Sequence, residues 1–212
     1  MKLIIIEDRI ERLKSFVEFE LEMWPEVHVV TGVGFDNLLS ELRNNNTHLL
    51  DRYKCIASHR SALSNEIRDI LKEYCSRTGK PLIFFSGGIS TSVFKDSSFP
   101  FLHINSKEFY SENLKVFLED LRSKDNVNLL TIQFGERWKM NLLLKLRNDI
   151  TVSLNNGTIK RVNDLKINSL IRDEILNEKS PSFLKGNQFA SVNAAQVNEL
   201  RATIGRLIND LI

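Results

Sequence analysis

The chain has 212 residues, with 29 basic and 27 acidic side chains and a formal net charge of +2. Apolar residues make up 42% and charged residues 26%, a balance that excludes a disordered chain. The near-neutral total is far from the basic character expected of a dedicated nucleic-acid binder.

No uncharged apolar run reaches the roughly 18 residues a membrane span needs, so none is expected. The apolar stretch after Lys2 stops at Glu7, too early for a signal-peptide core. Cys55 and Cys75 form neither a disulfide framework nor a zinc motif, and read as buried thiols of a reducing compartment. The expected location is the cytoplasm. The charge is uneven. Residues 1–119 hold 15 basic and 17 acidic groups, and residues 120–212 hold 14 and 10. With the change in pattern described below, this predicts two domains, 1–122 and 123–212.

The first part alternates strands and helices. Leu3–Ile6 is a continuous apolar run, as expected of a strand buried on both faces. Ile10, Leu13, Phe16, Val17, Leu21 and Trp24 then follow helical spacing, and Pro25 stops that helix. Val27–Val30 reads as a second strand. Asp36 can cap a short helix bearing Leu38, Leu39 and Leu42. Tyr53–Ala57 reads as a third strand. Ser64 can cap a helix with Ile67, Ile70, Leu71 and Tyr74, closed by Gly79 and Pro81. Leu82–Phe85 and Phe101–Ile104 read as the fourth and fifth strands. Ser111 can cap a helix with Leu114, Phe117, Leu118 and Leu121. The alternation predicts an α/β fold, a doubly wound, five-stranded parallel sheet.

The second part predicts a smaller α+β domain. Leu129–Phe134 reads as a strand and Glu136–Asn148 as an apolar helix. Ile150–Leu154 and Thr158–Val162 flank Asn155-Asn156-Gly157, which reads as a β-hairpin. Two helices, about 164–178 and 193–211, flank a loop with Pro181 and Gly186. Val197, Leu200, Ile204, Leu207 and Leu211 follow a seam of 3,4 spacing, a candidate homodimer surface.

In a parallel sheet, functional groups collect at the carboxyl ends of the strands. There stand Glu7-Asp8 after strand one, Ser58-His59-Arg60 at strand three, Ser86-Gly87-Gly88 at strand four and Ser106-Lys107 after strand five. Two adjacent carboxylates repel unless a cation neutralises them, so Mg²⁺ or Lys107 is a candidate counter-charge. Asp8 can instead be a helix cap.

These residues resemble a known family. KLIIIEDR resembles the opening of bacterial response-regulator receiver domains, whose first strand ends in an acidic pair. LIFFSG and HINSKEF resemble their fourth and fifth strand ends. The resemblance covers about residues 1–122. It implies that Glu7 and Asp8 fall on the Mg²⁺-holding pair, and that Ser86 and Lys107 fall on the groups contacting a phosphoryl. The chain departs from the family where the phospho-accepting Asp belongs. Ser58 stands there, or His59 if the register slips by one, and no acid lies between Asp51 and Glu66. Glu108 follows Lys107 where the family has Pro, and His103 or Ile104 stands near its aromatic position. The resemblance thus implies a degenerate pseudo-receiver that cannot form an aspartyl phosphate.

Phe85–Ser92 also resembles the SGGxDS loop of ATP pyrophosphatases, with Ser90 in place of Asp. Ser86, Gly87, Gly88, Ser90 and Thr91 are therefore a candidate anion or nucleotide site. Arg137, Lys139, Lys145, Arg147, Lys160 and Arg161 could face nucleic acid if the helix and hairpin formed a winged reader. Ser58 and His59 lie on opposite faces of an extended strand and cannot pair as nucleophile and base. The first expectation is a non-enzymatic regulatory or adaptor protein that binds a partner protein, with no cofactor required. The alternatives are a nucleotide-binding enzyme using the SGGISTS loop and a DNA-binding regulator.

Overall fold

Apolar runs that cannot face water become the central strands of one sheet. A computed structural model describes residues 2–14, 24–96, 98–124, 127–157 and 194–212. The chain divides into two compact units, Met1–Glu136 and Arg137–Ile212.

The first unit is α/β. Strands β1 (Leu3–Ile6), β2 (Val27–Val30), β3 (Cys55–His59), β4 (Leu82–Ser86), β5 (Val93–Asp96) and β6 (Pro100–Asn105) form one sheet in the order β2-β1-β3-β4-β6-β5. Every pairing is parallel except β5 with β6. β1, β3 and β4 are buried along their whole length. The sequence leads one to expect five strands in this sheet, and among the described residues it has six. The extra strand, β5, alternates exposed and half-buried residues and carries Lys95 and Asp96. Such a short, charged edge strand resists pairing with other chains, but it carries no apolar run to betray it.

Helices cover both faces of the sheet. Helix α1 (Val33–Arg43) buries Phe35, Leu38, Leu39 and Leu42. It begins at Val33, so Asp36 lies in its first turn instead of capping it. Helix α2 (Asn65–Thr78) buries Ile67, Leu71, Tyr74 and Cys75. Ser64 caps it, accepting a hydrogen bond from the Ile67 amide, and Gly79 ends it in the left-handed region at φ +69°. These two helices share a core with Ile4, Ile6, Ile56, Leu82 and Phe84. The opposite face carries α3 (Ser106–Phe109), α4 (Glu112–Ser123) and α5 (Leu129–Phe134). Their Phe109, Leu114, Phe117, Leu118, Leu121, Leu129 and Ile132 pack on Leu3, Ile5, Ala57, Ile83 and Phe85. Ser111 caps α4 as the spacing predicts. After β1 the described chain makes a 3-10 turn, Ile10–Leu13. Most of the helix expected there, residues 15–23, lies outside the described residues.

Two expected strands are helical. Leu129–Phe134 is α5: the Asn128 side chain accepts a hydrogen bond from the Leu130 amide at its start, and Gly135 stops it at φ +66°. Leu129 and Ile132 join the sheet's core, and the first unit runs to Glu136. Ile150–Leu154 is the last part of α6 (Trp138–Asn155) in the second unit. Its buried Trp138, Leu142, Leu143, Leu146 and Ile150 keep one helical face, which overrides the strand preference of the β-branched run. Asn156-Gly157 follows that helix, with Gly157 at φ +64°, and is not a hairpin turn. The second arm, Thr158–Val162, the helix near 164–178 and the loop with Pro181 and Gly186 lie outside the described residues.

Helix α7 (Ala194–Asn209) packs against α6 within the second unit. It buries Val197, Leu200, Ile204 and Ile208, so most of the expected seam faces its own chain, while Leu211 is exposed. Among the described residues no helix is long and apolar enough to cross a membrane.

Candidate functional site

The pleat decides which residues meet at the carboxyl ends of β1 and β3. Ile6 pairs with Ser58 across the two strands. Side chains alternate along a strand, so Ile6 and Ser58 share one face, and Glu7 and His59 fall on the other. Glu7, Asp8 and His59 each offer a ligand-type atom, all within 4.8 Å of one another. His59, not Ser58, therefore faces the acidic pair.

Two further residues complete this cluster. The 3-10 turn after β1 brings Arg12 back over the strand ends. Its Nη1 lies 3.3 Å from Glu7 Oε1, 3.3 Å from Asp8 Oδ1 and 2.7 Å from the ring nitrogens of His59. From the other side, the Tyr110 hydroxyl donates to Glu7 Oε2 at 3.2 Å. Tyr110 in turn packs edge-on to Phe85 and Phe109. His59 Nδ1 is 3.2 Å from Asp8 Oδ1. A neutral imidazole satisfies both neighbours by donating from Nδ1 to Asp8 and accepting from Arg12 at Nε2. Neither Arg12 nor Tyr110 belongs to any motif visible in the sequence. The one available signal is that Arg12 stands four residues after Asp8.

Burial sets the electrostatics. Glu7 is fully buried. Desolvation, then a hydrogen bond to Asp8, pushes its carboxyl up to about 7, against the pull of Arg12. Burial also raises Asp8. However, the hydrogen bond with Glu7 and the charges of His59 and Arg12 outweigh it and hold Asp8 below the usual carboxylate range. Burial and the neighbouring Arg12 push His59 down, so the ring is neutral near pH 7. The pair thus splits its roles: Asp8 is the ionised carboxylate, and Glu7 shares a proton near neutrality.

The other sequence candidates lie elsewhere. Ser58 is buried on the α1–α2 face, and its Oγ has no hydrogen-bond partner among the described residues. Ser86 is buried and its Oγ lies 2.9 Å from Ser61 Oγ. Lys107 is exposed, and among the described residues its backbone amide is engaged, donating to Asn105 Oδ1. The segment Ser86–Ser92 runs from β4 into β5, not into a helix N-terminus. Asn105 Nδ2 donates to the carbonyls of Gly87 and Ile89, and Ser92 Oγ donates to Glu108 at 2.6 Å. Ser90 and Thr91 are exposed. Neither Gly87 nor Gly88 has a positive φ, and a Cβ would fit at both. The loop therefore lacks the backbone demand for glycine that a phosphate cradle imposes, and it carries a carboxylate beside it. Arg137, Lys139, Lys145 and Arg147 are exposed on or beside α6, and the expected first arm of the hairpin, Ile150–Leu154, is part of that helix.

Comparison with protein-family models, with curated proteins and with solved structures finds no match.

Proposed function

We propose that the chain is a non-enzymatic regulatory protein whose first unit is a receiver-like domain without the phospho-accepting Asp. One observation carries the reading. The five parallel strands run in the order β2-β1-β3-β4-β6, and the acidic pair after β1 faces the end of β3, where His59 stands in place of a carboxylate. That order is the flavodoxin-like one, whose functional crevice lies between its first and third strands. An imidazole cannot form an aspartyl phosphate. In this reading the strand ends hold one surface state, and a partner protein recognises that surface.

Two measurements on the full chain test this. Acetyl phosphate with Mg²⁺ should leave the intact mass unchanged, and a phosphoryl adduct on Asp8 or Glu7 would overturn the reading. A partner captured from the native host by the wild-type chain should bind at least tenfold more weakly to Asp8→Asn. Equal binding by both would remove the strand ends from the partner surface. ATP-dependent thermal stabilisation would instead support nucleotide binding at Ser86–Thr91, and binding to DNA that weakens as salt rises would support the DNA-binding reading.

A further inference from the structure

The family resemblance implies Mg²⁺ at Glu7 and Asp8, and the residues present do not fit it. Mg²⁺ demands near-octahedral oxygen ligands at about 2.1 Å. This cluster offers an imidazole nitrogen from His59 beside the two carboxyl groups, and one of those, Glu7, already accepts from the Tyr110 hydroxyl. The space that a cation would share with these three groups already holds a guanidinium nitrogen, within 3.3 Å of both carboxylates.

We propose that Arg12 is a built-in cation that substitutes for a divalent metal ion and closes the strand-end cluster to metals. One guanidinium nitrogen contacts both carboxyl groups and the imidazole at once. A divalent ion bound to the same atoms would sit against that guanidinium in a largely buried place, so like-charge repulsion makes metal and guanidinium exclude each other. A planar guanidinium with its fork of donors suits several acceptors at once better than an ammonium would. Because Arg12 sits on the turn leaving β1 and touches the end of β3, it also fixes that turn against the sheet. The Tyr110 hydroxyl bonded to Glu7 extends the lock to the chain just after α3. The inference concerns the same strand ends as the proposed function, but it rests on this geometry and not on the receiver reading.

The test is a titration of the full chain with Mn²⁺ and with Mg²⁺, followed by thermal unfolding and, for Mn²⁺, by electron paramagnetic resonance. The wild-type chain should show no saturable metal effect. Arg12→Met keeps the apolar stem and removes the charge. It should gain a Mn²⁺-dependent rise in Tm of about 4 °C or more, which a second substitution, Asp8→Asn, abolishes. Arg12→Lys keeps the charge and should remain unresponsive, and Arg12→Gln, which also removes the charge, gives the same readout if Arg12→Met does not fold. Saturable metal binding to the wild-type chain that is lost in Asp8→Asn would overturn the proposal. So would metal binding by Arg12→Lys as tight as by Arg12→Met, or an Arg12→Met chain that folds and gains no response. Phosphoryl transfer plays no part in these readouts, so this inference and the pseudo-receiver reading can fail separately.

Discussion

The two faces of the sheet meet the solvent edge in different ways. On the face covered by α3, α4 and α5, the side chain just after β1 and the last one of β3 are ionisable, and each has a partner: Glu7 meets Tyr110 and Arg12, and His59 meets Asp8 and Arg12. On the face covered by α1 and α2, the corresponding position holds Ser58, whose buried hydroxyl has no partner among the described residues, while Ser86 is satisfied by Ser61. One residue of register separates the two outcomes. The lesson is that the strand ends are not one site. One face holds a cluster of ionisable groups, and the other holds small polar groups that the fold tolerates.

Four substitutions sharpen or break this contrast. The largest effect should come from the floor beneath the cluster. Phe85 is fully buried, stacks on Phe109 at a centroid distance of 4.3 Å and abuts His59 and Tyr110. Phe85→Ala should cost about 3–5 kcal/mol in denaturant unfolding. A cost below about 1 kcal/mol would mean that this face is not packed as described.

The second test is Glu7→Gln, read as a function of pH. The folded chain holds the Glu7 proton up to about 7, whereas the unfolded chain releases it near 4.5. Glu7 therefore contributes stability that is full below pH 4.5 and is lost as pH rises to about 7. Relative to wild type, Glu7→Gln should gain on the order of 3 kcal/mol between pH 4.5 and 8, from the pKa difference alone. The comparison with wild type is needed because His28, His59 and His103 work in the opposite direction. Burial lowers all three, so their contribution is present above pH 6.5 and is lost as pH falls. Parallel stability profiles for the two proteins would show that Glu7 ionises normally.

On the other face, Ser58→Ala should stabilise the chain by about 1 kcal/mol, because it removes a buried hydroxyl with no partner among the described residues. A loss of stability of that size would mean that the hydroxyl is satisfied. The smallest effect belongs to Lys107. Its side chain is exposed and, among the described residues, is not one of the acidic pair's contacts, so Lys107→Ala should stay within about 0.5 kcal/mol of wild type. A larger loss would bring Lys107 into the cluster, as the family resemblance implies.

Much of the sheet is legible because its strands are buried on both sides. Leu3–Ile6 and Leu82–Phe85 contain no polar residue, and no amphipathic helix could use such a run. Ser64 and Gly79 bracket α2 by local chemistry alone. β5 escapes because an edge strand needs no apolar run, and Val93–Asp96 has none. Leu129–Phe134 looks like a strand from its side chains, although the signals that make it a helix, Asn128 and Gly135, lie just outside it. Ile150–Leu154 misleads because β-branched residues before Asn-Gly satisfy hairpin rules and a helix end equally well. The acidic pair is legible, but its partner is not. Choosing between Ser58 and His59 needs the pairing of Ile6 with Ser58, which only the folded sheet supplies. Arg12 and Tyr110 reach the cluster from a short turn and from the residue after a four-residue helix, and no periodicity marks either position.

The antiparallel edge also bears on how the sheet assembles. Each parallel pair joins distant parts of the chain, as Leu3 joins Val27 and Ile56 joins Leu82, whereas β5 folds back on β6 with Asp96 opposite Pro100. Closing a short loop costs less entropy than closing a long one, and hairpins form on the order of microseconds. The β5–β6 pair can thus exist before any parallel ladder does. It then offers the free edge of β6, with Leu102 and Ile104, as a seed for β4. Folding would spread from that margin towards β1, and the acidic pair would be enclosed late. Folding-rate effects larger at Leu102 than at Ile5 would bear this out, and the reverse order would place nucleation at the sheet centre.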